Sequence, residues 1–220
     1  MRLAYINPNA TEGMTESIVM HARAATPEVD LFGLTNTHGP PAIQGRKDGE
    51  AAVPGLLSLL PEAQERGADA IVIACFDDTG LAQARLAARC PVLGIGQSSY
   101  MMAQLLGLRF SVITSLAVSI PVIEQNLREQ GFAGTCASVR AANLPVLTID
   151  AGGPKAIARI AAEINAAAQQ DMATCAVLGC AGMAPLEPAL SARTDLPLID
   201  GVAAAARLAM AVGRGFPGAR

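Results

Sequence analysis

The sequence predicts an α/β protein of two pseudo-symmetric domains, each a parallel sheet flanked by helices, with a ligand site in the cleft between them. Three observations carry that reading. Short apolar runs rich in β-branched residues alternate with helical patterns along the whole chain, which is the pattern of parallel sheets. Like segments recur at nearly one spacing: Asn7 and Thr114 stand 107 positions apart, Cys75 and Cys180 105, and Pro91 and Pro197 106. Two of the apolar runs stop at a cysteine followed by a turn of small or acidic residues, Ile71-Val72-Ile73-Ala74-Cys75-Phe76-Asp77-Asp78 and Ala176-Val177-Leu178-Gly179-Cys180-Ala181-Gly182-Met183. A residue at the carboxyl end of such a strand sits where open α/β sheets bind ligands. The expected boundaries are a first domain over 1–97, closed by a C-terminal helix within 202–220, and a second over 98–201.

The elements follow in order. Residues 2–6 read as a strand, broken by Asn7-Pro8-Asn9. Thr11 caps a helix through Met14, Ile18 and Val19. Residues 29–34 are a second strand. A long segment from Thr35 to Asp48, with Gly39-Pro40-Pro41 and Gly45-Arg46-Lys47, reads as a loop of lid length. A helix then starts at Ala51 with Pro54 near its first turn, and Pro61 kinks or divides it. The Cys75 strand, a helix over 81–89 and a strand at 91–94 complete the first half. The second half repeats the pattern: a helix over 100–106, a strand at 110–113, a helix over 119–130, a short strand within 138–144 and an Ala-rich helix over 155–170. The Cys180 strand, a turn-rich stretch with Pro185 and Pro188, a strand at 197–200 and a helix over 202–212 follow.

Composition excludes several classes of function. The chain has 220 residues, 51% hydrophobic and 16% charged, ample for a core and wrong for a disordered segment. A net charge of −3 and 3% aromatic residues give no footprint for nucleic acid. No apolar run reaches the roughly 20 residues that span a bilayer, and the amino-terminal stretch does not read as a signal peptide. A cytoplasmic location is expected. The five cysteines, Cys75, Cys90, Cys136, Cys175 and Cys180, are odd in number and irregular in spacing, so no disulfide framework is expected. With two histidines, His21 and His38, and no Cys-x-x-Cys, no metal site is expected. Gly94-x-Gly96 follows a strand, but Ser99 stands where a dinucleotide fingerprint needs glycine or alanine, so no nucleotide cofactor is expected.

The two strand-end cysteines suggest one chemistry in particular. Inverting a carbon acid needs a base on one face and an acid on the other. A thiol titrates near pH 8.5 when unperturbed, close enough to neutrality to serve as either. Phe76 and Met183 can supply apolar walls, and Thr114 and Ser115 can donate to an enolate-like oxygen. Asn7 and Asn9 stand at a strand's carboxyl end, as turn and cap residues or as ligand contacts. Asp77-Asp78 reads as a metal pair, a hydrogen-bonding anchor or, most plainly, a helix cap. Cys90, Cys136 and Cys175 read as small apolar packing residues.

Taken together, these residues resemble the hydantoin racemase family of the aspartate/glutamate racemase superfamily, along almost the whole chain. The segments are Ile6-Asn7-Pro8-Asn9 with Met14-Thr15, Gly39-Pro40, 51–57, 71–80, 110–127, 136–147, Leu178 to Met183 and Asp200-Gly201-Val202-Ala203-Ala204. The resemblance implies cofactor-independent racemisation of 5-monosubstituted hydantoins by Cys75 and Cys180. Asn7, Thr114, Ser115 and Gly182 match positions where such proteins hold the ligand. It also implies a homo-oligomer. Allantoin, itself a 5-substituted hydantoin, is the competing substrate, and an amino-acid racemase or a decarboxylase of the same fold are the more distant ones. The sequence departs from the family pattern at Thr79, where proline is common, and at Arg46-Lys47, which replaces a His-Tyr-like pair in a loop expected near the 5-substituent.

Overall fold

The structure is a computed structural model and describes residues 1–215; residues 216–220, the tail of the expected first domain, lie outside the described residues. The first sheet contains β1 (Arg2–Asn7), β2 (Asp30–Thr35), β3 (Ala70–Ile73) and β4 (Val92–Gly94), all parallel, in the order β2-β1-β3-β4. The second contains β5 (Phe110–Thr114), β6 (Cys136–Ala141), β7 (Cys175–Gly179) and β8 (Leu198–Asp200), again parallel, in the order β6-β5-β7-β8. The two orders are the same element for element. Asn7 and Thr114 end the equivalent strands β1 and β5, as the spacing predicted.

Ten helices surround the sheets among the described residues: α1 (Glu12–Ala25), α2 (Arg46–Ser58), α3 (Leu60–Glu65), α4 (Leu81–Ala87), α5 (Ile95–Leu105), α6 (Ile120–Glu129), α7 (Val146–Asp150), α8 (Pro154–Gln170), α9 (Glu187–Ser191) and α10 (Gly201–Gly215). None is long and apolar enough to cross a membrane. Strand alternation sorts the core of the first sheet. Ala4, Ile6, Ile71 and Ile73 face Leu56, Leu60, Leu81 and Ala84 of α2, α3 and α4. Leu3, Tyr5, Ala70 and Val72 face the other way, into the core shared with α1, α5, α10 and the second sheet. Helix α10 returns from β8 to pack on β3, α1 and α5, so it ties the end of the second half to the first. Four aromatic rings cluster between the halves. Tyr100 stacks on Phe110 at 5.5 Å and meets Phe76 edge-on at 5.7 Å and Phe132 at 5.6 Å.

Three expectations need correction. Helix α2 begins at Arg46, not Ala51, so Arg46 and Lys47 stand in its first turn rather than in a loop, and Pro54 is interior. Gly45, at φ 95°, lets the chain turn into the helix, and Asp48 in the first turn accepts the Gln44 amide at 3.0 Å. The stretch with Pro185 and Pro188 reads as turn-rich, but Pro188 lies in the first turn of α9; likewise Pro145, after β6, stands just before α7, a helix the sequence did not suggest. Proline is preorganised there and forfeits no helical hydrogen bond. Gly96 belongs to α5, which starts five residues before Tyr100.

One ion pair joins α1 to the end of β8. His21 Nε2 lies 2.9 Å from Asp200 Oδ2, and the same carboxylate accepts the Val202 and Ala203 amides at the start of α10. The hydrogen bond to Asp200 raises the His21 pKa, against the opposing effect of burial; Glu187 adds to the rise and Arg207 reduces it. Because the folded pKa is raised, the stabilisation is full below the unfolded value of about 6.5 and is lost as pH rises through the folded value. The melting temperature should therefore fall with pH across that window. In His21→Leu, that pH-dependent component should vanish when melting is followed from pH 6 to 8.5.

Candidate active site

Both repeated cysteines lie just beyond the carboxyl ends of equivalent central strands, Cys75 after β3 and Cys180 after β7. They line one cavity together with Phe76, Asp77, Thr114 and Ser115. The cavity lies at the carboxyl ends of β1, β3, β5 and β7, between the two sheets. Its free volume is about 30 Å³, too little for an organic ring unless the walls part.

The two sulfurs are held alike. The amide of Asp77, two residues after Cys75, faces its sulfur, and the amide of Gly182, two residues after Cys180, does the same. Thr79 Oγ1 donates to Cys75 Sγ at 3.4 Å, and the Met183 amide adds to Cys180. These donors favour thiolate, but burial works against them. Desolvation pushes Cys180 up to about 12 and Cys75 further, with the Asp77 carboxyl adding to both rises. Burial therefore holds both thiols toward the neutral form.

The remaining predicted residues divide. Thr114 and Ser115 are buried at the end of β5, with Thr114 Oγ1 donating weakly to the Gly179 carbonyl at 3.4 Å. Asn7 does not line the cavity. Its Nδ2 donates to Asn9 Oδ1 and Thr15 Oγ1, both at 3.0 Å, and its Oδ1 accepts the Asn9 amide at 3.1 Å. Asn7 is thus committed to the β1–α1 turn, and it is Asn9 that reaches the cavity wall. Gly182 and Met183 act at the Cys180 sulfur through their amides, and Met183 is fully buried outside the wall. Cys90, Cys136 and Cys175 lie away from the cavity, with Cys175 at the opposite end of β7.

Asp78 is a cap, though of a distant helix. Its carboxylate accepts the Gly96 amide at 3.0 Å and the Gln97 amide at 2.8 Å, at the start of α5, and Gln130 Nε2 at 3.2 Å. Burial holds its pKa up at about 6 against these bonds. Arg46 reaches across to α6, where its Nη2 donates to Gln125 Oε1 at 2.6 Å. With Asn126 Nδ2 donating to the Asp77 carbonyl at 2.7 Å, it fastens the two halves together. Arg46 lines an outer groove of about 370 Å³ that contains neither thiol, so it has no contact with the cavity.

Sequence reasoning missed Ile43, Ser119 and Val146 in the wall. Ile43 comes from the long segment after β2, and Val146 opens α7, whose amide bonds Gln44 Oε1 at 3.1 Å. Nothing in the local sequence marks either as facing a ligand. Among the described residues no cluster of acidic, His or Cys side chains has the makings of a metal site.

Two like α/β halves with a thiol from each on one small cavity make this the candidate site of a two-domain α/β protein. The comparisons supply the family. The profile of the family described as Asp/Glu/Hydantoin racemase matches residues 3–209. A hydantoin racemase of Rhizobium meliloti is 41% identical over 98% of this chain and 90% of its own. The structure of an allantoin racemase from Klebsiella pneumoniae is 34% identical, superposes with a TM-score of 0.93 and is covered to 90%, with all of this chain aligned. A glutamate racemase from Francisella tularensis shares the fold at 16% identity and a TM-score of 0.69, over 96% of this chain and 79% of its own. The chain belongs to the Asp/Glu/hydantoin racemase family and is an isomerase.

Proposed function

We propose that the protein racemises 5-monosubstituted hydantoins by a two-base transfer at C5. The observation that carries this is the placing of Cys75 and Cys180, from equivalent strands of two halves, on one cavity. The C4 carbonyl acidifies the C5 proton. One cysteine, as thiolate, takes that proton while the other, as thiol, delivers one to the opposite face; the reverse reaction exchanges the roles. Charge develops on O4, where Thr114, Ser115 and Ser119 hydroxyls and the Asn9 amide line the wall as donors. In the reactive form one sulfur carries its proton and the other does not, and each turnover exchanges those states.

The same walls argue against the rival substrates. An amino acid or a malonate carries a carboxylate, which a neighbouring acid disfavours. The lining residues among those described include no Lys, Arg or His and one acid, Asp77. That setting suits a neutral ring. Allantoin meets the same description, and the Klebsiella pneumoniae likeness keeps it as the second substrate to test.

Incubation in D₂O with alkyl, aryl and ureido (allantoin) hydantoins, followed by NMR, tests the reading. Deuterium should enter C5 with loss of optical rotation, and the fastest substrate names the physiological class. Retention of the C5 proton with every hydantoin would sink the proposal. We infer a cytoplasmic location, and the resemblance carries a homo-oligomer into this reading, whose subunit number light scattering on the eluted protein measures.

A further inference from the structure

Asp77 is the one acidic side chain on the cavity wall, and its surroundings leave it with work undone. Its Oδ2 is sheltered from solvent and has no hydrogen-bond partner among the described residues. Its neighbour Asp78 makes three bonds, so the shortage is particular to Asp77. The backbone around Asp77 is fixed: its carbonyl accepts Asn126 Nδ2 from the other half, and its amide faces the Cys75 sulfur. The carboxyl lies close enough to both sulfurs to raise each one's pKa. A buried acceptor without a donor costs about 1–3 kcal/mol or more when charged, and the residue that carries it lines both the cavity and the outer groove.

We propose that Asp77 sets the specificity of the cavity: its free Oδ2 accepts a hydrogen bond from a ring N–H of a neutral cyclic amide, and its charge turns away carboxylate-bearing molecules. This rests on the hydantoin reading and adds the group that recognises the ring. A hydantoin presents two N–H donors, at N1 and N3, whereas the ring-opened ureido acid of the same side chain presents a carboxylate. The proposal also links binding to chemistry. A ring N–H on Oδ2 draws off the negative potential that Asp77 imposes on both thiols, so thiolate becomes easier to form when a substrate with that donor is present. Burial and the neighbouring Asp78 carboxylate hold Asp77 up at about 7. Protonation below that value removes the charge and weakens the acceptor, so the discrimination against the ureido acid should shrink as pH falls.

The test compares a 5-substituted hydantoin with its 1-methyl and 3-methyl derivatives, by C5 deuterium exchange, in the wild type, Asp77→Asn and Asp77→Leu. The wild type should favour the parent over one methyl derivative by about 10- to 100-fold in kcat/KM, the range of a hydrogen bond to a charged group. Leucine has the branched outline of aspartate, is larger, and accepts nothing. In Asp77→Leu the parent should fall to the level of that derivative, whereas a purely steric preference would survive. The inhibition constant of the ureido acid should drop in both variants. Equal wild-type rates for the parent and both derivatives would overturn the role of Asp77, as would preserved discrimination in Asp77→Leu. Where Asp77→Leu does not fold, Asp77→Asn still tests the charge: an unchanged inhibition constant for the ureido acid would overturn that part of the role. No exchange with any hydantoin removes the hydantoin reading itself, which is a separate and recognisable failure.

Discussion

Cys75→Ala and Cys180→Ala are each expected to lower racemisation by at least about 10³-fold, since general acid–base catalysis by one placed group is worth about 10²–10⁴-fold and each variant removes a group that both directions need. Cys90→Ala should leave the rate unchanged, because Cys90 is half-buried at the other end of the molecule's first sheet and lines no part of the cavity. The single-cysteine variants should still fold. Cys75 and Cys180 are replaced by a smaller side chain beside a cavity that already holds space, so thermal melting should move by a few degrees at most. The readout that separates chemistry from binding is ligand protection. A hydantoin should raise the melting temperature of both variants while C5 exchange is lost. Full activity in either variant would remove the two-base mechanism and leave a one-cysteine reaction in its place.

The sequence yields the fold because its repeat is carried by positions that must recur. Strand ends, the cysteines after them and the prolines before β4 and β8 keep a near-constant spacing, and parallel strands buried on both faces give continuous apolar runs. The cysteine pair is legible for the same reason. What the sequence hides depends on contacts between distant segments. Asn7 and Asn9 are both amides in one turn, and only the hydrogen bonds of Asn7 to Thr15 and Asn9 show that the second faces the cavity. Ile43 and Val146 reach the wall through a closure between halves, fastened by Gln44, Arg46 and Asn126, which no local pattern encodes. Asp78 caps a helix that begins 17 positions later, beyond the few residues over which capping patterns operate. Arg46-Lys47 reads as loop charge because Pro54 suggests a helix start nearby, whereas Gly45 starts it earlier.

The paired glycines of Gly94-x-Gly96 yield the other large effect. They resemble half of a nucleotide fingerprint, but the structure gives them another purpose. A Cβ on Gly94 would strike the Asp78 carboxylate, and a Cβ on Gly96 would strike the Phe76 carbonyl oxygen. The second contact is with backbone, which cannot swing aside as a side chain can. The residue struck directly follows Cys75, so relief of the clash must move the turn that holds that thiol. Helix propensity favours alanine over glycine by about 1 kcal/mol, while overpacking costs about 1–3 kcal/mol and occasionally more; the clash decides the sign. Gly96→Ala should therefore destabilise the protein by about 2 kcal/mol and lower kcat/KM by more than the loss of folded protein explains. Gly13→Ala is the matched control. Gly13 lies in the first turn of α1 with nothing near its Cβ position, so alanine there should raise stability slightly and leave the rate alone. Denaturant melts and exchange rates on the two variants should diverge in sign. Equal behaviour would mean that α5 and the Cys75 turn are free to shift apart, and that the close seat of Phe76 on Gly96 does not set the position of the thiol.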